Sequence, residues 1–450
     1  MWQTGSHHQH QHQTPDPYTP ASGSTDLSIN EYDLTLDYDV GSNRLKGQAR
    51  LAGSALVDTE QLTLDLDRPM RVEEVLLWSD GTPVDVRSFR QRRGKLAITP
   101  SRDLKAGGTF RLSIRYRGKP RAGNGLWGDI GWEELTDGAL VAGQPTGAPS
   151  WFPCNDLPAD KARYRISVTV ESGYRVTCNG ELVSHEDRRG RETWVFEQPE
   201  PMSTYLATVQ IGRYECLDLP GDVPQFVVAP PSLSDRARAA LARQDAMMTL
   251  FASRFGPYPF GRYTVVVTDD ELEIPLEAQS VSVFGRNHLR SAVASLVAHE
   301  LAHQWFGNSV TAGKWRDIWL HEGFATYAEW MWAEAADGAG SDQRAAADLE
   351  WLQHQRQDLQ LADPGPAAMF DERVYRRGAL TLHVLRHSAG DGIFYELLQE
   401  WTQKYRHSCA GTPEFLDLAD KAYASAGVSA SGLLGPWLFE PLVPEAPFRA

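Results

Sequence analysis

Alternating apolar and polar positions dominate the first half of the chain. Tyr32, Leu34, Leu36 and Tyr38 take every second place in one run, and Tyr164, Ile166, Val168 and Val170 do so in another. A period of two lines one face of a strand, so each run predicts a half-buried β-strand. Clusters of Gly, Pro and Asp separate runs of this kind from 25 to 218, which predicts a β-rich N-terminal domain. After a last short apolar run at 226–228 the period changes. Segments 233–254, 289–306, 318–336 and 372–386 repeat apolar residues at spacings of three and four, which predicts a second, mostly helical domain over 219–450. Gly307 closes the second of these segments, while Thr412 and Pro413 offer an N-cap and a first-turn proline to a further helix. Residues 1–24 carry neither period. With His7, His8, His10 and His12 among Gln, Pro, Ser and Thr, they are expected to form a disordered His-rich leader that takes no part in folding.

Composition narrows the functional classes. A chain of 450 residues, 42% hydrophobic and 23% charged, suffices for two or three ordinary globular domains. Its net charge of −15 argues against nucleic acid as a partner, because phosphate binding needs clustered Lys and Arg. Cys154, Cys178, Cys216 and Cys409 are too sparse for a disulfide framework or a CxxC metal site and read as free thiols. No run approaches the ~18 consecutive apolar residues of a membrane helix, and the N-terminus lacks the apolar stretch of a signal peptide. A reducing, cytoplasmic setting without a membrane partner is expected.

The candidate chemistry lies in the helical half. The segment Val297-Ala298-His299-Glu300-Leu301-Ala302-His303 contains HExxH, and Val293, Leu296, Val297 and Leu301 recur there at helical spacing. Four residues are about one helical turn, so His299 and His303 share a face and can bind one zinc ion. Glu300, beside the first of them, can reach a water activated at that site. HExxH alone is only moderately specific, but this segment is too apolar for a surface helix. Glu322 follows His303 after eighteen intervening residues, on the next predicted helix. Two His and one Glu complete a zinc site with a fourth position open.

HELAHQWFGN followed by WLHEGFATY resembles the signature of the aminopeptidase N family, the gluzincin aminopeptidases that include leukotriene epoxide hydrolase. The resemblance extends to Trp151-Phe152-Pro153-Cys154-Asn155-Asp156 with Lys161-Ala162, and to Phe255-Gly256-Pro257-Tyr258-Pro259. It implies an α+β architecture in which the β-rich N-terminal domain precedes a thermolysin-like catalytic domain, with the active site between them. The family's G-A-M-E-N segment, whose Glu binds the substrate's free amino group, has its counterpart in Pro275-Leu276-Glu277-Ala278-Gln279. Glu277 carries over, while Pro275 is a departure that offers no N–H to an extended peptide. Gln144 falls where the family has a second residue touching that amine. The catalytic Tyr of the family's Y-x-K-G motif corresponds to Tyr375 of Tyr375-Arg376-Arg377-Gly378, with Arg in place of Lys. Glu329, seven residues after Glu322, either orients a ligand imidazole or is a solvated helix carboxylate.

The resemblance thus implies a zinc aminopeptidase: His299, His303 and Glu322 as metal ligands, Glu300 and Tyr375 as catalytic residues, and Glu277 and Gln144 binding a peptide with a free N-terminus. Full-length relatives continue into a further helical domain, whereas the run Trp437-Leu438 with Pro441 and Pro444 resembles the usual end of the catalytic domain. A two-domain form with a more open cleft is therefore expected. Such a cleft would suit an endopeptidase, against which Glu277 argues. An epoxide hydrolase would share the zinc site, and a non-catalytic zinc-binding protein would have no need of Glu300 or Tyr375.

Overall fold

The computed structural model describes residues 14–290, 293–338 and 340–447. The predicted alternation becomes an eight-stranded sheet whose centre pairs Leu27–Asp39 with Arg44–Ala55 on one side and with Ala162–Glu171 on the other. Tyr32, Leu34, Leu36 and Tyr38 are fully buried, as are Ile166, Val168 and Val170, and the parallel register sets Leu34 against Ile166. A three-stranded sheet, Leu62–Asp65, Lys95–Pro100 and Val86–Arg92, and a five-stranded one extending from Arg175–Cys178 to Gly123–Gly125 complete this half. Tyr32, Trp132, Trp151, Phe152 and Tyr164 form a buried aromatic seam within it.

Among the described residues eight α-helices follow: α1 (Ser234–Ala240), α2 (Gln244–Phe255), α3 (Val293–Ala302), α4 (Trp319–Asp337), α5 (Ser341–Gln353), α6 (Glu372–Lys404), α7 (Thr412–Tyr423) and α8 (Ala430–Phe439). A five-stranded sheet accompanies them, in the order Glu215–Leu219, Gln225–Ala229, Tyr263–Thr268, Val281–Gly285, Leu276–Ala278. Its first strand, Glu215–Leu219, spans the expected boundary at 218. Buried apolar residues of both halves make one continuous cluster. Among the described residues no helix is long and apolar enough to cross a membrane.

Several element bounds differ from those predicted, each for a local reason. The segment 233–254 is two helices joined by a turn after Ala240. The segment 289–306 is regular helix only over the described Val293–Ala302, because the chain turns after Ala302 so that the Phe306 carbonyl faces His303. The helix starting at Glu372 runs on to Lys404 through a kink at Gly390, where φ is +81°.

Part of the segment expected to be a disordered leader is ordered. His7, His8, His10 and His12 lie outside the described residues, but Asp16 and Tyr18 pack on the helical half, and Gly23 and Ser24 donate their N–H groups to Asp65 and Asn155 of the β half. Asp16 is buried and accepts from the Trp315 N–H at 2.8 Å, and the Tyr18 hydroxyl bonds Asp363 and accepts from the Gly365 N–H at 2.7 Å. A buried aspartate serving backbone donors leaves no periodic signal, so this segment read as featureless.

Candidate active site

Helices α3 and α4 bring the three expected ligands together. Each imidazole directs Nε2 toward Glu322, at 3.5 Å from Oε2 in both cases, and the candidate ligand atoms all lie within 4.8 Å of one another. The other ring nitrogens are occupied. His299 Nδ1 lies 2.8 Å from Glu329 Oε1, and His303 Nδ1 lies 3.1 Å from the Phe306 carbonyl. An Nδ1–H donating to each acceptor leaves the Nε2 lone pairs free for a metal. Of the two readings of Glu329, the hydrogen bond to His299 is the one found. Ser295 donates to its other oxygen.

Burial and charge are consistent with a cation here. Glu322 is buried, yet its carboxyl is held well below the usual range because the attraction of His303 and His299 outweighs desolvation. For His303, burial pulls the pKa down, but Glu322 raises it to about 9. Three nitrogen and oxygen donors in a buried pocket are the ligand set of a catalytic zinc site. His321, next to Glu322, is no part of it: its Nε2 accepts from the Ala312 N–H at 2.8 Å, and burial holds it neutral, with a pKa near 3.

Glu300 is 5% exposed and its Oε2 has no hydrogen-bond partner among the described residues. Burial raises its pKa to about 7, against the pull of the two imidazoles. A buried carboxylate oxygen without a donor has a proton-accepting lone pair to spare. Tyr375, near the start of α6, lies with its ring 6.1 Å from that of His299 at 20°. Burial, with Glu322, Glu277 and Glu300 as neighbouring carboxylates, drives its pKa well above 10, so its hydroxyl remains a proton donor.

The strand Leu276–Ala278 forms the sheet edge beside this cluster, with Glu277 opposite Ser282. Burial raises the Glu277 pKa while His303 lowers it, which puts its carboxylate within electrostatic reach of the ligand set. Two zinc-helix-turn residues hold this strand, and the expected site omitted both. Gln304 accepts from the Ser280 N–H at 2.7 Å and donates to the Ala278 carbonyl at 3.1 Å, and Asn308 donates to the same carbonyl at 3.0 Å. A buried amide offers a donor and an acceptor at once, so Gln304 pairs with the strand much as another backbone would. Such a role has no period to reveal it.

From the β half, Lys161 donates to the carbonyls of Asn308 and Ser309 at 3.0 and 2.8 Å, and Tyr205 to that of Gly307 at 3.1 Å. The turn after the second ligand is thus gripped from across the interface. Gln144 follows the strand Gly138–Ala142, and the neighbouring Gly143 packs on the Tyr205 backbone. Its Nε2 is buried without a hydrogen-bond partner among the described residues. No hydrogen bond joins Gln144 to Glu277.

Comparison with known proteins agrees with this geometry. The Peptidase M1 N-terminal domain matches residues 28–206 and the Peptidase family M1 domain residues 239–431. A leucyl aminopeptidase of Saccharolobus solfataricus is 24% identical over 93% of this chain and 54% of its own, and a glutamyl aminopeptidase of Rattus norvegicus 26% identical over 87% and 45%. The chain therefore spans about half the length of the curated relatives it matches. An M1 zinc metallopeptidase from Deinococcus radiodurans superposes with a TM-score of 0.87 at 28% identity, covering 97% of this chain and 99% of that one. A mutant of that protein has been solved with a Tyr-Ser-Ala substrate.

Proposed function

Because the chain belongs to peptidase family M1, matching both of that family's domains, we propose that it is a zinc-dependent aminopeptidase acting on peptides with a free N-terminus. The observation that carries this reading is Glu277, a carboxylate on the sheet edge within electrostatic reach of His303 and Glu322. An ammonium group paired with Glu277 would bring the first peptide bond, rather than an internal one, to the metal. The relative solved with a tripeptide supports the same substrate class.

His299, His303 and Glu322 would hold the zinc, which would supply a Lewis acid to polarise the scissile carbonyl and acidify water. Glu300 takes the proton from the attacking water and returns it to the leaving amine, for which its unpartnered Oε2 is suited. Tyr375 donates its hydroxyl proton as a hydrogen bond to the developing oxyanion. Glu277 receives the substrate ammonium, and Gln144, with a free amide donor, lines the approach from the β half. The free thiols suit a reducing, cytoplasmic compartment.

Free and N-acetylated peptides of increasing length, compared by rate and by mass spectrometry of the products, test the assignment. Free peptides lose their first residue while acetylated ones stay intact, since acetylation removes a charge-assisted contact of about 1.5–3 kcal/mol. Internal cleavage of acetylated peptides at comparable rates would make the protein an endopeptidase.

A further inference from the structure

Tyr375-Arg376-Arg377-Gly378 contains two features that the proposed reaction leaves unused. Gly378 packs directly on Gly323 of α4, next to Glu322: a Cβ on Gly323 would lie 2.7 Å from the Gly378 Cα. This close crossing brings the start of α6 against the helix that carries the third ligand. Arg377, two residues from Tyr375 and so on another side of the helix, is 2% exposed. Among the described residues no carboxylate forms an ion pair with it. Its guanidinium instead reaches six backbone carbonyls: Trp437 at 2.8 Å, Leu359 at 3.1 Å, Pro441 at 3.0 Å, Pro436 at 3.1 Å, Glu440 at 2.5 Å and Leu442 at 3.3 Å. Five of them belong to the end of α8 and the segment after it.

We infer that Arg377 is a positioning residue for Tyr375, clasping the segment Pro436–Leu442 to the back of α6 so that the tyrosine hydroxyl stays seated beside Glu322. The chemistry favours arginine. The guanidinium spreads five N–H donors over a rigid plane and gathers acceptors from several directions, whereas a lysine ammonium has three donors on a flexible stem. Carbonyls at a helix C-terminus lack intrahelical donors and carry partial negative charge, so Arg377 satisfies them and its own charge together. The start of α6, which carries Tyr375, is then held between two fixed surfaces, the Gly323–Gly378 crossing and the clasped segment. A shift of an ångström at such a donor costs catalysis heavily, up to ~100-fold.

The inference rests on the peptidase reading, so the wild-type enzyme is assayed first on a fluorogenic aminoacyl amide; its inactivity would end that reading and the positioning role with it. With activity in hand, kcat, KM and zinc content are measured for Arg377→Lys, for Tyr375→Phe and for the double variant. Arg377→Lys is expected to keep zinc and KM while lowering kcat roughly 10- to 100-fold. In the Tyr375→Phe background the same change should cost less than about threefold, because the donor it positions is already gone. A chain ending after Phe439, which removes three of the clasped carbonyls, should show the same pattern. A rivet of general stability would give losses that multiply with Tyr375→Phe, or loss of zinc. Either result overturns the proposal, as does failure of both Arg377→Lys and the shortened chain to fold.

Discussion

Two carboxylates near His299 illustrate how chemistry separates at the residue scale. Glu329 receives the His299 Nδ1–H at 2.8 Å, whereas Glu300 is a sequence neighbour of His299 whose Oε2 has no partner among the described residues. On the proposed reading the first would tune a ligand and the second would move a proton. Glu300→Gln should therefore retain zinc and lose at least ~100-fold in rate. Glu329→Gln should instead weaken zinc binding ~10- to 100-fold while the zinc-saturated enzyme keeps most of its rate. Competition with a chelator, read beside activity at saturating zinc, separates the two. Equal loss of metal in both variants would place Glu300 among the ligands. HExxH separates ligand from candidate base by position alone, so Glu300 could be nominated from the sequence. Glu329 had two readings until the fold put it next to Ser295 and His299.

Among the elements, the edge strand Leu276–Ala278 depends most on its neighbours. It is three residues long and pairs on one side only, with Val281–Gly285. Gln304 and Asn308 supply the missing partner through the Ala278 carbonyl and the Ser280 N–H. Gln304→Leu would leave that N–H without its acceptor, at a cost of about 1–3 kcal/mol, and would loosen the strand that presents Glu277. The expected outcome is a raised KM for free peptides, a smaller rate ratio between free and acetylated substrates, and unchanged zinc content. An unaltered ratio would show that Asn308 alone suffices to hold the strand. The long helices announced themselves through apolar spacing, but a three-residue strand carries too little pattern to identify. Glu277 was nominated by resemblance, and the residues that hold its strand emerged only from the fold.

For the molecule as a whole, the two halves share one core, and buried ionisable groups accompany that packing. Asp156 is buried near Asp65, with one oxygen accepting from Thr204 at 2.6 Å and the other unpartnered among the described residues. Burial first, then Asp65, raises its pKa from 3.8 to about 8. Between those values the folded protein keeps a proton that the unfolded chain releases, so stability falls as pH rises from about 4 to 8. Lys161, buried where it grips the Asn308 and Ser309 carbonyls, has its pKa lowered from 10.5 to about 8. It sheds its proton earlier when folded, so its contribution rises between pH 8 and 10.5. Melting temperatures of wild type and Asp156→Asn, measured from pH 5 to 8, should diverge in favour of the variant as pH increases. Parallel curves would show that Asp156 ionises normally in the folded protein.

By itself the sequence determined what depends on neighbours along the chain. The period of two specified the strands, the period near four put His299 and His303 on one face, and turn residues marked where segments end. It was also enough to nominate Glu322 and Tyr375, because motifs of fixed spacing travel with their chemistry. Tertiary structure alone decided what depends on approach across the fold. The ordered packing of Asp16 and Tyr18 on the helical half, the Gly323–Gly378 crossing, the amide of Gln304 standing in for a strand, and the carbonyls gathered by Arg377 all join segments distant in sequence. Hydrogen bonds of this kind depend on where a donor meets an acceptor, and that meeting is set by packing, which leaves no periodic trace in the chain.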